Sequence, residues 1–296
     1  MPPAPPVPVG DPTSSSIAFE QVSADDLAGR PHLLTLLAVG LLVIIASRLL
    51  HEIVGHGLPC VLGGGEWRGF STSWTVCADA GMSSTARGVQ LAGGTVIQLL
   101  AGLFALGWLR LRPPTSGLGY AVLWQTAAVN LFLATGPLMI DPITGAHEWG
   151  DVLRLHLTAP AWRWGGMAVG AILTMGGYVL LLRQLEPLLA SAPAWRTPLV
   201  RALCWGPLLL GAGLVLPLAS LRNVLGMGAA YDSTMTVFGA VSFLFWIPFS
   251  ATAAAPGKPP GFRCTPIARV PALWGLALVV AFLTIWLVGP GVPISS

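Results

Sequence analysis

Two histidines and a glutamate stand within six residues at the end of a long apolar run, in the motif His51-Glu52-Ile53-Val54-Gly55-His56. The whole chain has only five histidines and is only 9% charged. Ionisable side chains inside membrane segments are costly and usually functional. Imidazole nitrogens bind zinc well, and an adjacent carboxylate can take a proton from a water that the metal activates. The motif therefore predicts a metal-dependent hydrolytic site, and the plainer alternative is a set of wet residues at a helix end.

The spacing of the two histidines differs from the HExxH motif, in which both lie four residues apart on one helical face. Each α-helical residue turns about 100°, so His51 and His56 would point about 140° apart. A π-bulge would bring residues five apart into register, and Gly55 would ease the distorted turn. Alternatively Glu52 and His56, which share an α-helical face, form the ligand pair with His51 beside it. We favour the bulge.

A third ligand has to come from another part of the chain, because catalytic zinc takes three protein ligands and keeps one position open. The segment 141–151, DPITGAHEWGD, is the densest supply of acids after the motif. Its candidates are Glu148, Asp151 and Asp141, with His147 as an outsider. The ordinary alternative is a loop that is polar because it lies outside the membrane.

Long apolar stretches must position these residues. The chain is 54% hydrophobic, and its 9% of charged residues compares with about 25% in soluble domains. A membrane-spanning helix needs about 20 mainly apolar residues. Seven stretches qualify or nearly so, at 33–50, 89–109, 118–140, 165–183, 198–220, 236–254 and 271–290. The first continues past the motif to residue 62, so it is one long helix or a helix with a re-entrant piece. We predict an all-α polytopic transmembrane helix bundle of about seven spans, within a range of six to eight.

The chain divides into three predicted parts. Residues 1–30 are rich in proline and predict a disordered tail, residues 31–164 form the membrane core with the motif, and residues 165–296 add helices of unknown role. The basic residues are scattered, so no cluster suggests nucleic-acid binding. Their excess on the N-terminal side of the spans favours a cytoplasmic N-terminus. Nothing in the sequence indicates the oligomeric state.

The four cysteines are widely spaced, and no disulfide framework can be read from them. Cys60 and Cys77 flank the segment that follows the motif, where a bridge or a metal contact is an alternative. The favoured interpretation is that they are small, inert apolar residues.

Three patches resemble the site-2 protease family of intramembrane zinc metallopeptidases, in particular its smaller bacterial-type branch. They are LLHEIVGHGLPCVLGGG, the small-residue run Leu91–Gly102, and NLFLATGPLMIDPITGAHEWGDV, and together they cover about residues 33–156. The sequence departs from the family in having one extra residue inside the HExxH box and a glutamate in place of the usual aspartate ligand.

The resemblance implies a role for each matched residue. His51 and His56 would be Zn²⁺ ligands, Glu52 the general base, Glu148 the third ligand with Asp151 as its alternate, and Asn130 a polar neighbour that binds the substrate backbone. The implied function is hydrolysis of peptide bonds of a membrane protein or peptide, in or near the bilayer of a bacterial inner membrane.

Two rival functions follow from the same residues. One is a catalytically inactive relative that acts as a membrane binding or scaffold protein. The other is a proton or metal-ion transporter, which would have acids and histidines in several spans. The segment 63–88, rich in Gly, Ser and Trp, is interpreted as the lining of an entry path or an extended edge for a substrate strand.

Overall fold

The computed structural model describes residues 30–144, 147–156, 161–224, 227–253 and 264–294. Within these ranges, seven helices are long and apolar enough to cross a membrane: Leu33–Leu62, Ser84–Leu111, Gly117–Pro142, Ala161–Leu189, Pro193–Ser220, Gly228–Ala251 and Pro271–Val288. The prediction of an all-α chain with about seven such helices is confirmed. The predicted disordered tail lies outside the described residues, apart from its last one.

The N-terminal half carries the chemically interesting residues. Its elements are helix α1 (Leu33–Leu49), a π-helix (Leu50–Gly57), α2 (Leu58–Leu62), strands β1 (Glu66–Phe70) and β2 (Thr75–Ala78), α3 (Ser84–Leu111), α4 (Gly117–Thr144) and α5 (His147–His156). The first three elements form one continuous helix, so the alternative of a re-entrant piece is not what the chain adopts. Part of the acidic segment 141–151 is also helical, because α4 runs on to Thr144 and α5 begins at His147.

The C-terminal half consists of further helices and one short strand. They are α6 (Ala161–Arg183), α7 (Glu186–Leu189), a 3₁₀ turn (Pro193–Trp195), α8 (Arg196–Trp205), a π-helix (Gly206–Val215), α9 (Leu216–Ser220), α10 (Met227–Val241), α11 (Phe243–Ala253), α12 (Pro271–Leu283), a π-helix (Thr284–Val288) and β3 (Val292–Pro293). The sixth apolar helix begins at Gly228 and not at residue 236 as predicted, which places Asp232 inside it.

Helix α4 is the centre of the bundle. In its apolar window 72% of the residues are buried, against 17% for Ala161–Leu189 and 11% for Pro271–Val288. Trp124, Tyr120 and Phe132 of α4 are fully buried. A central α4 explains how the acidic segment at its C-terminal end reaches the histidine motif, although more than 80 residues separate them in the chain.

A small antiparallel sheet lies over the end of the first helix. The strand order is β2-β1-β3, with Phe70 opposite Thr75 and Gly69 opposite Pro293. The chain turns from α2 into β1 at Gly64, whose φ of +83° is readily adopted by glycine. The segment 63–88, interpreted as an entry-path lining or an extended edge, contains this hairpin and the first turn of α3, where the Ser83 side chain accepts a hydrogen bond from the Ala86 amide.

A disulfide joins the first helix to this hairpin. Cys60 of α2 and Cys77 of β2 are bonded, with Cα atoms 6.0 Å apart. The interpretation of this pair as inert apolar residues is wrong, because the hairpin folds back and brings the two positions together. Cys204 and Cys264 are buried free thiols, in agreement with that interpretation.

Candidate metal centre

The histidine motif lies in a π-helix, Leu50–Gly57, within the first long helix. Residues five apart share a face in a π-helix, because its hydrogen bonds join each residue to the fifth one before it. His51 and His56 therefore point to the same side, with their Nε2 atoms 2.9 Å apart. The structure contains the distortion that we favoured from the five-residue spacing.

Glu148 joins the two histidines. Its Oε1 lies 2.8 Å from Nε2 of His51 and 2.8 Å from Nε2 of His56. Both imidazoles are buried, whereas the Glu148 side chain is 25% exposed. The possible ligand atoms of these three residues all lie within 4.8 Å of one another. Among the described residues, this is the one group of three or more His, Cys, Asp or Glu side chains that could hold a metal ion.

The triangle of ligand atoms is compatible with a metal ion. Sides of 2.8, 2.8 and 2.9 Å correspond to a circumscribed circle of about 1.6 Å radius, shorter than a zinc–ligand bond of about 2.0–2.1 Å. A point therefore exists at bonding distance from all three atoms. Two imidazoles and one glutamate are also a known donor set of catalytic zinc sites.

Neighbouring groups prepare two of these ligands for a cation. The Nδ1 of His56 lies 2.7 Å from the backbone oxygen of Gln90, so Nδ1–H donates and Nε2 keeps its lone pair for a metal. Burial alone raises the pKa of the Glu148 carboxyl. A positive charge at this point, from protonated imidazoles or from a bound cation, outweighs that effect together with the imidazole hydrogen bonds and holds the pKa well below its ordinary value, which favours the Glu148 carboxylate. His51 Nδ1 has no hydrogen-bond partner in the described part of the chain.

Glu52 lies beside the ligands but does not join them. It is 2% exposed, its Oε1 accepts a hydrogen bond from the Arg48 guanidinium, and its Oε2 lies 3.0 Å from the Thr75 hydroxyl. The alternative in which Glu52 and His56 form the ligand pair is not the arrangement that the structure has. Glu52 instead has the position of a separate acid–base group next to the candidate metal site.

A cavity of about 430 Å³ connects these groups. The three candidate ligands and Glu52 line it, together with side chains from the first helix, the hairpin, α3, the α4–α5 corner and α10. Helix α10 contributes Asp232, Ser233 and Thr236. The C-terminal helices, to which no role was given from sequence, therefore supply one wall of the site.

The other predicted candidates have different surroundings. Asp141 is 1% exposed and lines the cavity, but its Oδ2 lies 3.4 Å from the Trp149 amide and its Oδ1 has no partner among the described residues. Asp151 forms an exposed ion pair with Arg154. Neither belongs to the group that meets at the histidines.

His147 and Asn130 hold parts of the bundle together. The His147 Nε2 lies 3.0 Å from the Thr236 hydroxyl of α10. The Asn130 amide donates to the Ser47 hydroxyl at 2.9 Å, and Asn130 is not among the residues that line the cavity. Its predicted contact with the substrate backbone stays a prediction.

Four residues of the site were not found from sequence. Arg48 precedes Glu52 by four residues, and on a helix this spacing could have predicted their ion pair. Thr75 and Gln90 had no signal, because nothing in their local sequence indicates what they face. Asp232 was missed because its helix was predicted to start later.

Glycines allow α3 to pack closely on the π-helix. A Cβ added at Gly55 would lie 2.5 Å from the Cα of Gly94, and one added at Gly94 would lie 2.5 Å from Nε2 of His51. Small residues at helix interfaces let backbones approach each other inside a bundle. The small-residue run of α3 is thus the surface against which the His51 ring rests.

No family model matches the sequence, and comparisons with curated proteins and with solved structures found no match.

Proposed function

We propose that this chain is an integral membrane metallopeptidase that resembles the site-2 protease family and hydrolyses peptide bonds in or near the bilayer. The observation that carries the proposal is the meeting of His51, His56 and Glu148 at one point of a cavity that Glu52 also lines. The ligand set suits Zn²⁺, although the same three groups would also accept other divalent transition metals.

Each residue has a distinct task in this proposal. A zinc ion held by the triad would supply Lewis-acid polarisation of the scissile carbonyl and lower the pKa of water to about 7. Glu52 takes a proton from the attacking water and passes it to the leaving amine. His56 is held in the required tautomer by the Gln90 carbonyl. The substrate class is a peptide or membrane-protein segment that enters the cavity in extended form.

The lipid bilayer is the proposed surroundings of the bundle. Seven helices have the length and composition to cross it, and the outer ones expose large apolar side chains such as Ile172, Leu278 and Phe104. In a soluble protein such surfaces would be an aggregation hazard, whereas lipid accepts them. A bacterial inner membrane is the location that the resemblance implies.

The disulfide supports an orientation. Disulfides persist in oxidising compartments, so the hairpin with Cys60 and Cys77 would face away from the cytoplasm. The hairpin follows the first long helix, so a hairpin outside the cytoplasm supports a cytoplasmic N-terminus, as the arginine distribution also does.

We expect an impermeant maleimide to label Cys77 on intact bacterial cells only after treatment with a reductant. A cysteine introduced at the exposed Ser116, in the connection between α3 and α4 at the opposite end of the bundle, should stay unlabelled until the cells are lysed. Labelling of Cys77 only after lysis would contradict the orientation.

The proposed function is tested with purified protein in detergent or vesicles. We expect about one bound zinc per chain and cleavage of single-span model peptides that a chelator stops and added Zn²⁺ restores. Protein that retains metal but cleaves none of a broad peptide panel would favour the inactive relative. Uptake of the metal into vesicles without cleavage would favour the transporter.

A further inference from the structure

We propose that Arg48 and Thr75 are positioning residues that hold the two carboxylate oxygens of Glu52, one donor on each oxygen, and so make the β-hairpin part of the active site. The inference rests on the proposed function, in which Glu52 is the acid–base group. It concerns two residues that neither the motif nor the ligand set includes.

Arg48 holds the first oxygen. It lies one helical turn before Glu52, is 3% exposed, and its guanidinium donates to Glu52 Oε1. Its Nε also donates to the backbone oxygen of Thr72 at 3.1 Å, so the hairpin turn holds the guanidinium itself. Because the Arg48 guanidinium is hydrogen-bonded to both Thr72 and Glu52, it has little freedom to move, and the Glu52 carboxylate that it contacts stays in place.

Thr75 holds the second oxygen. Its hydroxyl lies 3.0 Å from Glu52 Oε2 and 3.0 Å from the Glu52 backbone oxygen, so its single proton serves one of them at a time. Thr75 begins β2 and is paired with Phe70 of β1, so its position depends on the sheet. The Cys60–Cys77 disulfide ties the same strand to the first helix.

Two donors from different directions restrict a group that is otherwise free to turn. The terminal torsion of a glutamate is broad, and an unrestrained carboxylate samples many orientations. A misplacement of about 1 Å can lower turnover by about 10²-fold. A purely structural ion pair would not need to line the cavity, whereas Arg48, Glu52 and Thr75 all do.

The first test compares turnover with metal content in Arg48→Gln, Arg48→Lys, Thr75→Val and Thr75→Ser. We expect all four to keep their zinc. The kcat should fall about 10- to 100-fold in Arg48→Gln and less in Thr75→Val, with little change in KM. Arg48→Lys should recover part of the loss and Thr75→Ser most of it. The matched control is Arg68→Gln, which breaks the exposed Arg68–Glu66 pair on the same hairpin and should keep wild-type kcat.

The second test does not depend on turnover. The protein is loaded with Co²⁺, whose visible absorption reports on the groups around the ion. We expect Arg48→Gln and Thr75→Val to change the spectrum in the same direction as Glu52→Gln, and Arg68→Gln to leave it unchanged. If the wild-type protein cleaves nothing, the proposed function fails, while these spectra still decide whether Glu52 is held as we infer.

Several results would overturn the inference. Wild-type kcat and spectrum in Thr75→Val and Arg48→Lys would show that the contacts do not position Glu52. A faster Arg48→Gln enzyme would show that the arginine charge weakens Glu52 as a proton acceptor and does not serve to position it. If Arg48→Gln does not fold, Thr75→Val decides, since it removes only a hydroxyl at nearly constant volume.

Discussion

Replacing Glu52 by glutamine is expected to lower peptide-bond hydrolysis by about 10²- to 10⁴-fold while the protein keeps its bound metal. Glutamine has almost the same shape, but its amide cannot take a proton from water. The three proposed metal ligands are unchanged, because Glu52 is not one of them. The measurement is kcat/KM on a cleavable peptide, together with the zinc content of the same preparation.

The zinc content separates the possible causes of a lower rate. If the variant loses its metal, Glu52 supports the ligands and the assigned role is wrong. If the variant cleaves at the wild-type rate, the acid–base group is elsewhere, and Asp141, which lines the same cavity, becomes the next candidate. An exposed control is Glu66→Gln on β1, which should change neither quantity because Glu66 forms an exposed ion pair with Arg68 and does not line the cavity.

Replacing Gly94 by alanine is expected to weaken zinc binding by about 10- to 100-fold, although Gly94 binds no metal itself. The added methyl would lie 2.5 Å from the Nε2 of His51, which is far inside van der Waals contact. Either the ring moves away from His56 and Glu148, or α3 moves away from the π-helix. Both leave the metal with a distorted ligand set. Zinc retention against a graded series of chelators measures the effect.

The same helix offers a matched control. Gly107 also lies in α3, and a Cβ added there meets no other atom within 4 Å. Gly107→Ala should therefore bind zinc as the wild type does. Its unfolding temperature should equal or slightly exceed that of the wild type, because alanine favours helix over glycine. Equal zinc retention in both variants would mean that the close approach of Gly94 to His51 has no bearing on the metal site.

Local chemistry in the sequence predicted several features of the site correctly. The five-residue separation of His51 and His56 excludes convergence on a regular α-helix, so the types and spacing of the residues already required a distorted helix if both bind one ion. The seven apolar stretches predicted the number of long helices, because length and hydropathy are properties of a contiguous segment and can be read locally.

Other features depend on residues that are distant in the chain. The segment 141–151 contains three acids, and residue type and spacing offer no reason to prefer one of them as the third ligand. The packing of α5 after α4 decides that Glu148 faces the histidines. The Cys60–Cys77 disulfide depends on the hairpin folding back, and the cavity wall from α10 depends on how a late helix packs against α4.

The sequence by itself determined that the chain is a bundle of apolar helices with a metal-binding type of motif at the end of the first. Hydropathy, helical periodicity and ligand chemistry act over a few neighbouring residues and can be read locally. The tertiary structure alone decided which acid lies with the two histidines, which donors contact Glu52 and which helices enclose the cavity. Those choices depend on the direction in which each side chain points after packing, and in a helix bundle many polar positions are equally acceptable until the neighbouring helix is in place.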